Sequence, residues 1–358
     1  MHSITDIVLI NDVINLPKKT LEGLCTDLNL DNSGYKGELV NRIYQYINSN
    51  DIANSDVFES SKQKLLAGKV SVTWYRIDEG LTTDEFREKI VEKADFNPFE
   101  NMSIPDIEEL TTDPVLIGGS KGINDSEIYL RFAYKNGVRQ EPYGTGVNTT
   151  PRGAFATVLF DTNSGIVEIR GDSRKAEDIA VKVAALLDQQ VNLERIEAPF
   201  NQTIGNIADS LEGELIDSTS KPELILDDFA EEQTEAIVNV LQALDDYFRY
   251  YDTEVLEEKL NQANTAFDEQ ITVPFSALML SGMGKVGLGG EKEIRQLPLY
   301  AYLNPNLQHQ GGFVRFNYTE EGVEKSYTIR VGMTTKSIFF TTPVTENIIS
   351  YVRSNVLV

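Results

Sequence analysis

Lys18, Lys19, Lys36 and Arg42, with Gly34 among them, are the residues of this 358-residue chain whose types and spacing point most directly to a binding chemistry. Lysines at a helix start and in an inter-helical turn suit phosphate oxygens, and a glycine lets backbone amides approach the same group. Asp12, Glu22, Asp27, Asp31 and Glu38 offset that positive charge, so a phosphate contact built here is weak and steeply salt-dependent. Acid–base chemistry is sparsely supplied. His2 sits at a terminus expected to fray, and His309, in the polar loop Asn304–Gly312, has neither a nucleophile elbow nor metal-ligand spacing around it. Asp161 on a hairpin precedes Glu168-Ile169-Arg170 on the next strand, a spacing with which two carboxylates could hold a divalent metal for nuclease chemistry. Arginine, however, does not give up its proton and cannot serve there as a base. The glycine-rich stretches Ser281–Lys292 and Gly118–Gly122 read as loops. The first puts Met279 and Val286 where a phosphate-binding loop needs glycine and a hydroxyl, so it fails that pattern twice.

The elements that hold these residues follow from periodicity. Pro17 stands where a helix can begin, Leu21, Leu24 and Leu28 recur at helical spacing, and Asp31-Asn32-Ser33-Gly34 breaks the helix. Leu39, Val40, Ile43, Tyr44 and Ile47 make the apolar face of a second helix, and the polar residues 51–61 read as a linker. Lys69–Ile77 alternates as a strand, with Trp74 and Tyr75 assigned to its core, and Thr82–Glu85 opens a helix. Phe96–Pro114, acidic and proline-containing, reads as a surface connection. Ile128–Tyr134 is a strand, and Asn136-Gly137 supplies the turn that often closes a hairpin. Strand, hairpin, strand and helix recur at about 128–188 and about 313–355, which raises an internal duplication as a hypothesis. Between them Glu231–Tyr251 and Val255–Phe267 form a helical hairpin.

The pattern LxLxxxGxKxxLVxRI within Leu21–Ile43 resembles the SAP domain, a small helix-turn-helix-like module. That resemblance covers only residues ~16–48. It implies two helices about a tight turn, duplex DNA as partner, and Lys18, Lys19, Gly34, Lys36 and Arg42 as the contacting residues. Asn29 stands where the family usually has glycine, a mild departure because asparagine tolerates a left-handed backbone.

Composition sets the limits. A net charge of −24 repels polyphosphate over a Debye length, so nucleic-acid contact must be local; the acidity of the body serves solubility by default, or attracts a basic partner protein. One cysteine, Cys25, excludes an internal disulfide, and no apolar run reaches the ~18–20 residues of a membrane span. No secretion signal is legible, so a cytoplasmic location is expected.

The sequence therefore predicts an α+β protein. A helical SAP-like module (1–50) and a linker (51–61) precede an α+β domain (62–200), a helical region (201–272) and a C-terminal α+β segment (273–358) that could continue the same sheet. No cofactor is expected. The expected function is that of a DNA-associated accessory or regulatory protein whose module contacts duplex DNA while the acidic body engages a partner, with self-association open. The alternatives are a divalent-metal nuclease and an interaction scaffold of a DNA-processing or phage-defence assembly without DNA affinity.

Overall fold

The computed structural model describes residues 1–77, 80–187, 193–222, 231–250, 253–266, 286–290, 292–297, 300, 304, 307–320 and 322–357. A 3-10 turn (Ile4–Ile7) leads into helices α1 (Ile10–Asn15), α2 (Lys18–Asp27), α3 (Lys36–Asn50), α4 (Asn54–Phe58) and α5 (Lys62–Leu65). Next come β1 (Ser71–Ile77), α6 (Thr83–Lys93), β2 (Val115–Lys121), β3 (Glu127–Tyr143), β4 (Gly146–Asp161), β5 (Ile166–Arg170), α7 (Ala176–Leu187) and β6 (Leu193–Arg195). The chain continues through α8 (Ile204–Ser210), β7 (Glu214–Pro222), α9 (Glu231–Tyr250), α10 (Thr253–Ala266), β8 (Val286–Gly289), β9 (Leu307–Glu320), β10 (Val323–Gly332), β11 (Ser337–Phe340) and α11 (Glu346–Val356). The fold is α+β. One compact unit comprises Met1–Gln202, Asn206–Gly213 and Arg315–Val358; the other comprises Thr203–Gly205 and Glu214–Val314.

The sheet of the first unit runs β2-β3-β4-β5-β1-β11-β10-β9, with β6 also paired to β1. Alternation sends Tyr75, Ile77, Leu130, Phe132, Val158, Phe160, Val167 and Ile169 to one face, where α6 and α7 cover them with Phe86, Ile90, Ile179, Val183 and Leu187. Phe86 stacks on Phe160 at 4.0 Å. A capping box starts α6: the Thr82 hydroxyl accepts from the Glu85 amide, and the Glu85 carboxylate accepts from the Thr82 amide. The opposite face carries Tyr129 and Leu159, packed on Ile4, Ile7 and Leu66, and Ala133 and Ile117, packed with Leu9. The C-terminal strands join this sheet directly, since Ser71 pairs with Phe339 and Val72 with Ile338.

Several expectations change. The linker placed at 51–61 is largely helical, and Val57, Phe58 and Leu65 complete one core with Val13, Leu21, Leu24, Leu39 and Ile43. Val57 and Phe58 carry no periodic stripe, so pattern alone could not separate them from a polar connection. Asn136-Gly137 does not close a hairpin. Gly137 (φ +89°) lies in a register shift between Lys135 and Val138, and pairing runs on to a turn at Gly144 (φ +60°). A left-handed glycine serves a bulge as readily as a turn. Gly118–Gly122 is mostly strand rather than loop; a Cβ at Gly119 would stand 2.9 Å from the Phe99 ring. His2 is tied down, its amide donating to the Phe99 carbonyl at 2.7 Å.

The hypothesis of duplication passes the strand-order test. β3-β4-β5 and β9-β10-β11 are both antiparallel meanders ending beside β1 and leading to a helix. In each, the turn before the third strand ends on a left-handed residue, Gly165 (φ +63°) or Lys336 (φ +45°).

In the second unit α9 and α10 form the expected hairpin, Gln233 near its start donating to the Ala266 carbonyl at its end. Val240, Ala243 and Ala263 are buried. The side chains of Ile237, Leu241 and Phe248, together with Tyr251, lie outside the described residues. So does Gly284-Lys285 of the glycine-rich stretch, whose following residues Val286–Gly289 pair with β7. Among the described residues no helix is long and apolar enough to cross a membrane.

Candidate functional site

The five sequence-predicted residues fall around the turn between α2 and α3, and local structure accounts for three of them. Gly34 (φ +112°) lies where a Cβ would stand 2.2 Å from Glu38 Oε2, the atom that accepts from the Tyr35 amide and caps α3. Lys36 Nζ donates to the Leu16 carbonyl beyond the end of α1. Arg42 pins the turn by donating to the Asp31 carbonyl at 2.9 Å and to that of Ser33, and it pairs with the Asp31 carboxylate at 3.5 Å. Asn29 closes α2 at φ +55°. Lys18 pairs with Glu22 at 3.5 Å, and Lys19 is exposed with no ion pair among the described residues. The turn is thus built by its cations, and only the first turn of α2 presents ammonium groups outward.

The N-terminal helices meet the sheet along a seam of buried charge. From β3, Arg131 donates to Thr157 and, at 2.8 Å, to Asp12 of α1; burial pushes the Asp12 carboxyl up against the pull of that arginine. Arg170 of β5 grips both oxygens of Glu346 at 2.6 and 2.7 Å, donates to Glu168 at 2.7 Å and to the Leu66 carbonyl at 3.1 Å, and lies over the Tyr129 ring. Glu168 also accepts from the Trp74 indole at 2.8 Å and from Arg353 at 3.3 Å. Burial works to raise the Glu168 carboxyl, but Arg170, Arg353 and the indole hold it below the usual range. An open cleft of about 560 Å³ runs beside this seam, lined by Asn15, Gly68, Lys69, Arg131, Arg330 and Phe339 among others. Its buried arginines are held by carboxylates, whereas Lys69 and Arg330 among its lining residues are exposed.

Glu168 and Arg170, the strand pair considered for metal chemistry, are therefore spent on structure. Asp161 is spent too, accepting from Ser164 Oγ at 2.7 Å in its own turn. Among the described residues no group of three or more acids, histidines or cysteines is placed to hold a metal ion. His309 lies on β9 rather than in a loop. Its Nδ1 faces Ser218 Oγ at 3.0 Å and Ser220 Oγ at 3.3 Å, and its Nε2 meets Asn304 Oδ1 at 2.8 Å. That is the connectivity of a nucleophile, a base and an orienting group, and burial lowers the imidazole pKa toward the neutral form. Both serines are 1% exposed, which closes them to a substrate and makes the group a satisfied polar cluster.

The most exposed organised feature is one the sequence reading cut short. β3 and β4 remain paired from Glu127↔Asp161 to Tyr143↔Gly146, but β2 borders β3 only as far as Ala133 and β5 borders β4 only from Thr157. Beyond those points the two strands form a ribbon whose residues 136–150 are all exposed. Pairing of Val138 with Pro151, Gln140 with Thr149 and Pro142 with Val147 puts these residues on one face, largely apolar; Arg139, Glu141, Tyr143, Asn148 and Thr150 take the other. Val138, Tyr143 and Val147 are 47%, 82% and 59% exposed. Tyr143-Gly144-Thr145-Gly146 was the turn signal to follow.

Neither a family model nor a curated protein matches this chain.

Proposed function

We propose that this chain is a non-catalytic interaction subunit that engages a partner through the β3–β4 ribbon, its N-terminal helices serving chiefly to brace the sheet. The ribbon carries this proposal. A two-stranded hairpin with both faces and both edges in water is marginally stable alone, and an exposed apolar face is commonly a surface awaiting a partner. The internal roles of Lys36 and Arg42 add support, because they remove half of the cations on which DNA binding was to rest. Lys135 and Gly153 are directly paired, so an Asn-Gly link between them can replace residues 136–152. The shortened chain is expected to melt within about 2 °C of the parent, since the ribbon contributes nothing to the core. A much larger loss would assign the ribbon to this chain's own stability and remove the basis of the proposal.

Exposed Lys18 and Lys19 keep a second role open, the weak duplex-DNA contact implied by the SAP resemblance. Two phosphate contacts give a salt slope of about −1.8, so affinity should fall roughly tenfold between about 50 and 200 mM salt. Replacing both lysines with glutamate in the full chain should abolish a gel shift seen at low salt. Equal shifts by parent and variant would discard the DNA role.

A further inference from the structure

β5 is shorter than the strands on either side of it. Its pairing with β4 and with β1 ends at Arg170, opposite Thr157 and Val72, and one further bond runs from the Gly171 amide to the Ser71 carbonyl at 3.0 Å. Both neighbours continue. β4 stays paired with β3 past Gly153↔Lys135, and the lead into β1 reaches back to Gly68, which bridges Val344. Strands that flank a missing strand stand two spacings apart, about 9.6 Å. The cleft of about 560 Å³ occupies that slot, with Gly153 and Phe155 on one bank, Lys69 and Val70 on the other, and Gly171 at its head. Lys135 sends its amide to the Thr111 carbonyl at 2.6 Å instead of to its pair Gly153, so Gly153 and, two residues on, Phe155 turn their peptide groups into the slot. The Ser71 carbonyl faces β5, so Lys69, two residues before it, turns the same way. Among the described residues the peptide groups of Gly153, Phe155 and Lys69 meet no backbone partner there. Unpaired strand edges of this kind are templates for another strand.

The side chains around the slot set the chemistry of its occupant. By alternation Lys69 shares a face with Ser71, Ser71 pairs directly with Phe339, and Phe339 pairs directly with Arg330. Lys69 and Arg330 are exposed, and neither has an ion pair among the described residues. The two acids that line the cleft are already engaged, Asp12 by Arg131 at 2.8 Å and Asp172 by Arg174 at 2.6 Å. Val70 and Phe155, half-buried, stand on the opposite face. From this arrangement we infer that the slot receives an extended segment of another protein, alternating acidic and apolar residues, as an added strand in the line of β5. Its acids face Lys69 and Arg330, and its apolar groups face Val70 and Phe155. Main-chain bonds join it to Gly153 and Phe155 on one bank and to Lys69 on the other. About four residues fit, since the bank from Gly153 to Ala156 extends roughly 13 Å.

Fluorescence anisotropy with the full chain tests this, using a labelled peptide of alternating valine and glutamate, about eight residues long so that it overhangs the slot. Dissociation constants of about 10–100 µM are expected. Lys69→Glu with Arg330→Glu should weaken binding by about tenfold or more while leaving the melting temperature unchanged, both residues being exposed. The same peptide N-methylated at alternate residues should fail to bind, a loss that attraction between charges alone does not require. No binding by the parent, equal binding by the charge-reversed variant, or equal binding of the N-methylated peptide overturns the inference. Self-association of the chain that the peptide reverses would name a second copy as the occupant and overturn the assignment to another protein. None of these results bears on the ribbon, whose role the melting of the ribbon-shortened chain judges separately.

Discussion

Arg170→Met should destabilise the first unit by about 3–5 kcal/mol at neutral pH, because it strands Glu168 and Glu346 without their shared guanidinium. The side chains of Arg170 and Glu168 are 1% and 0% exposed, so solvent cannot take over the lost bonds. The cost should depend on pH in a defined direction. The folded-state pKa of Glu168 lies below its ordinary value of 4.5. Its contribution is therefore present above that value and is lost as pH falls through the folded pKa. Asp12 works the other way: its raised pKa favours the fold at low pH, and that benefit is lost as pH rises through the folded value. Denaturant titrations of parent and variant at pH 7 and near pH 3 should thus show a gap that narrows in acid. A gap that stays constant would mean that the seam's charge is not what Arg170 supplies.

Phe58→Ala is expected to cost about 3–5 kcal/mol, the range for emptying a buried aromatic site. Phe58 is 0% exposed, lies 6.1 Å from the Tyr44 ring, and completes the core of α1, α2 and α3. The informative readout is Trp74, the single tryptophan, buried in β1 and bonded to Glu168. If the N-terminal helices brace the sheet, fluorescence of Trp74 should report a lowered midpoint although the mutated site is in a helix of the N-terminal cluster. Early loss of helix with an unchanged tryptophan transition would instead make residues 1–50 an autonomous module. The same packing predicts that residues 1–50 cut out alone lack Val57, Phe58 and Leu65 and lose much of their stability.

Elements with strong local periodicity were legible in the sequence. The helix stripe of Leu39, Val40, Ile43 and Ile47, the capping box at Thr82 and Glu85, and the strand Ser71–Ile77 all reappear in the structure, although that strand is buried on both faces instead of alternating. So does the left-handed Asn29. What failed depended on partners remote in sequence. Glu168 and Arg170 alternate on one strand face, and nothing local shows that Glu346 and Arg353, in the last helix, neutralise them. Lys36 and Arg42 have the right charge for phosphate, but backbone carbonyls of the turn already occupy them. Asn136-Gly137 has turn chemistry, yet the length over which β3 and β4 pair decided that it forms a bulge. The ribbon was hidden by that one local signal. Its alternation of Val138, Gln140 and Pro142 against charged neighbours was present to be read.

Thermal melting of the chain in which an Asn-Gly link replaces residues 136–152 tests most directly the claim that the ribbon serves a partner and not this chain's own fold. A midpoint within about 2 °C of the parent is the result expected. A much larger loss would contradict it.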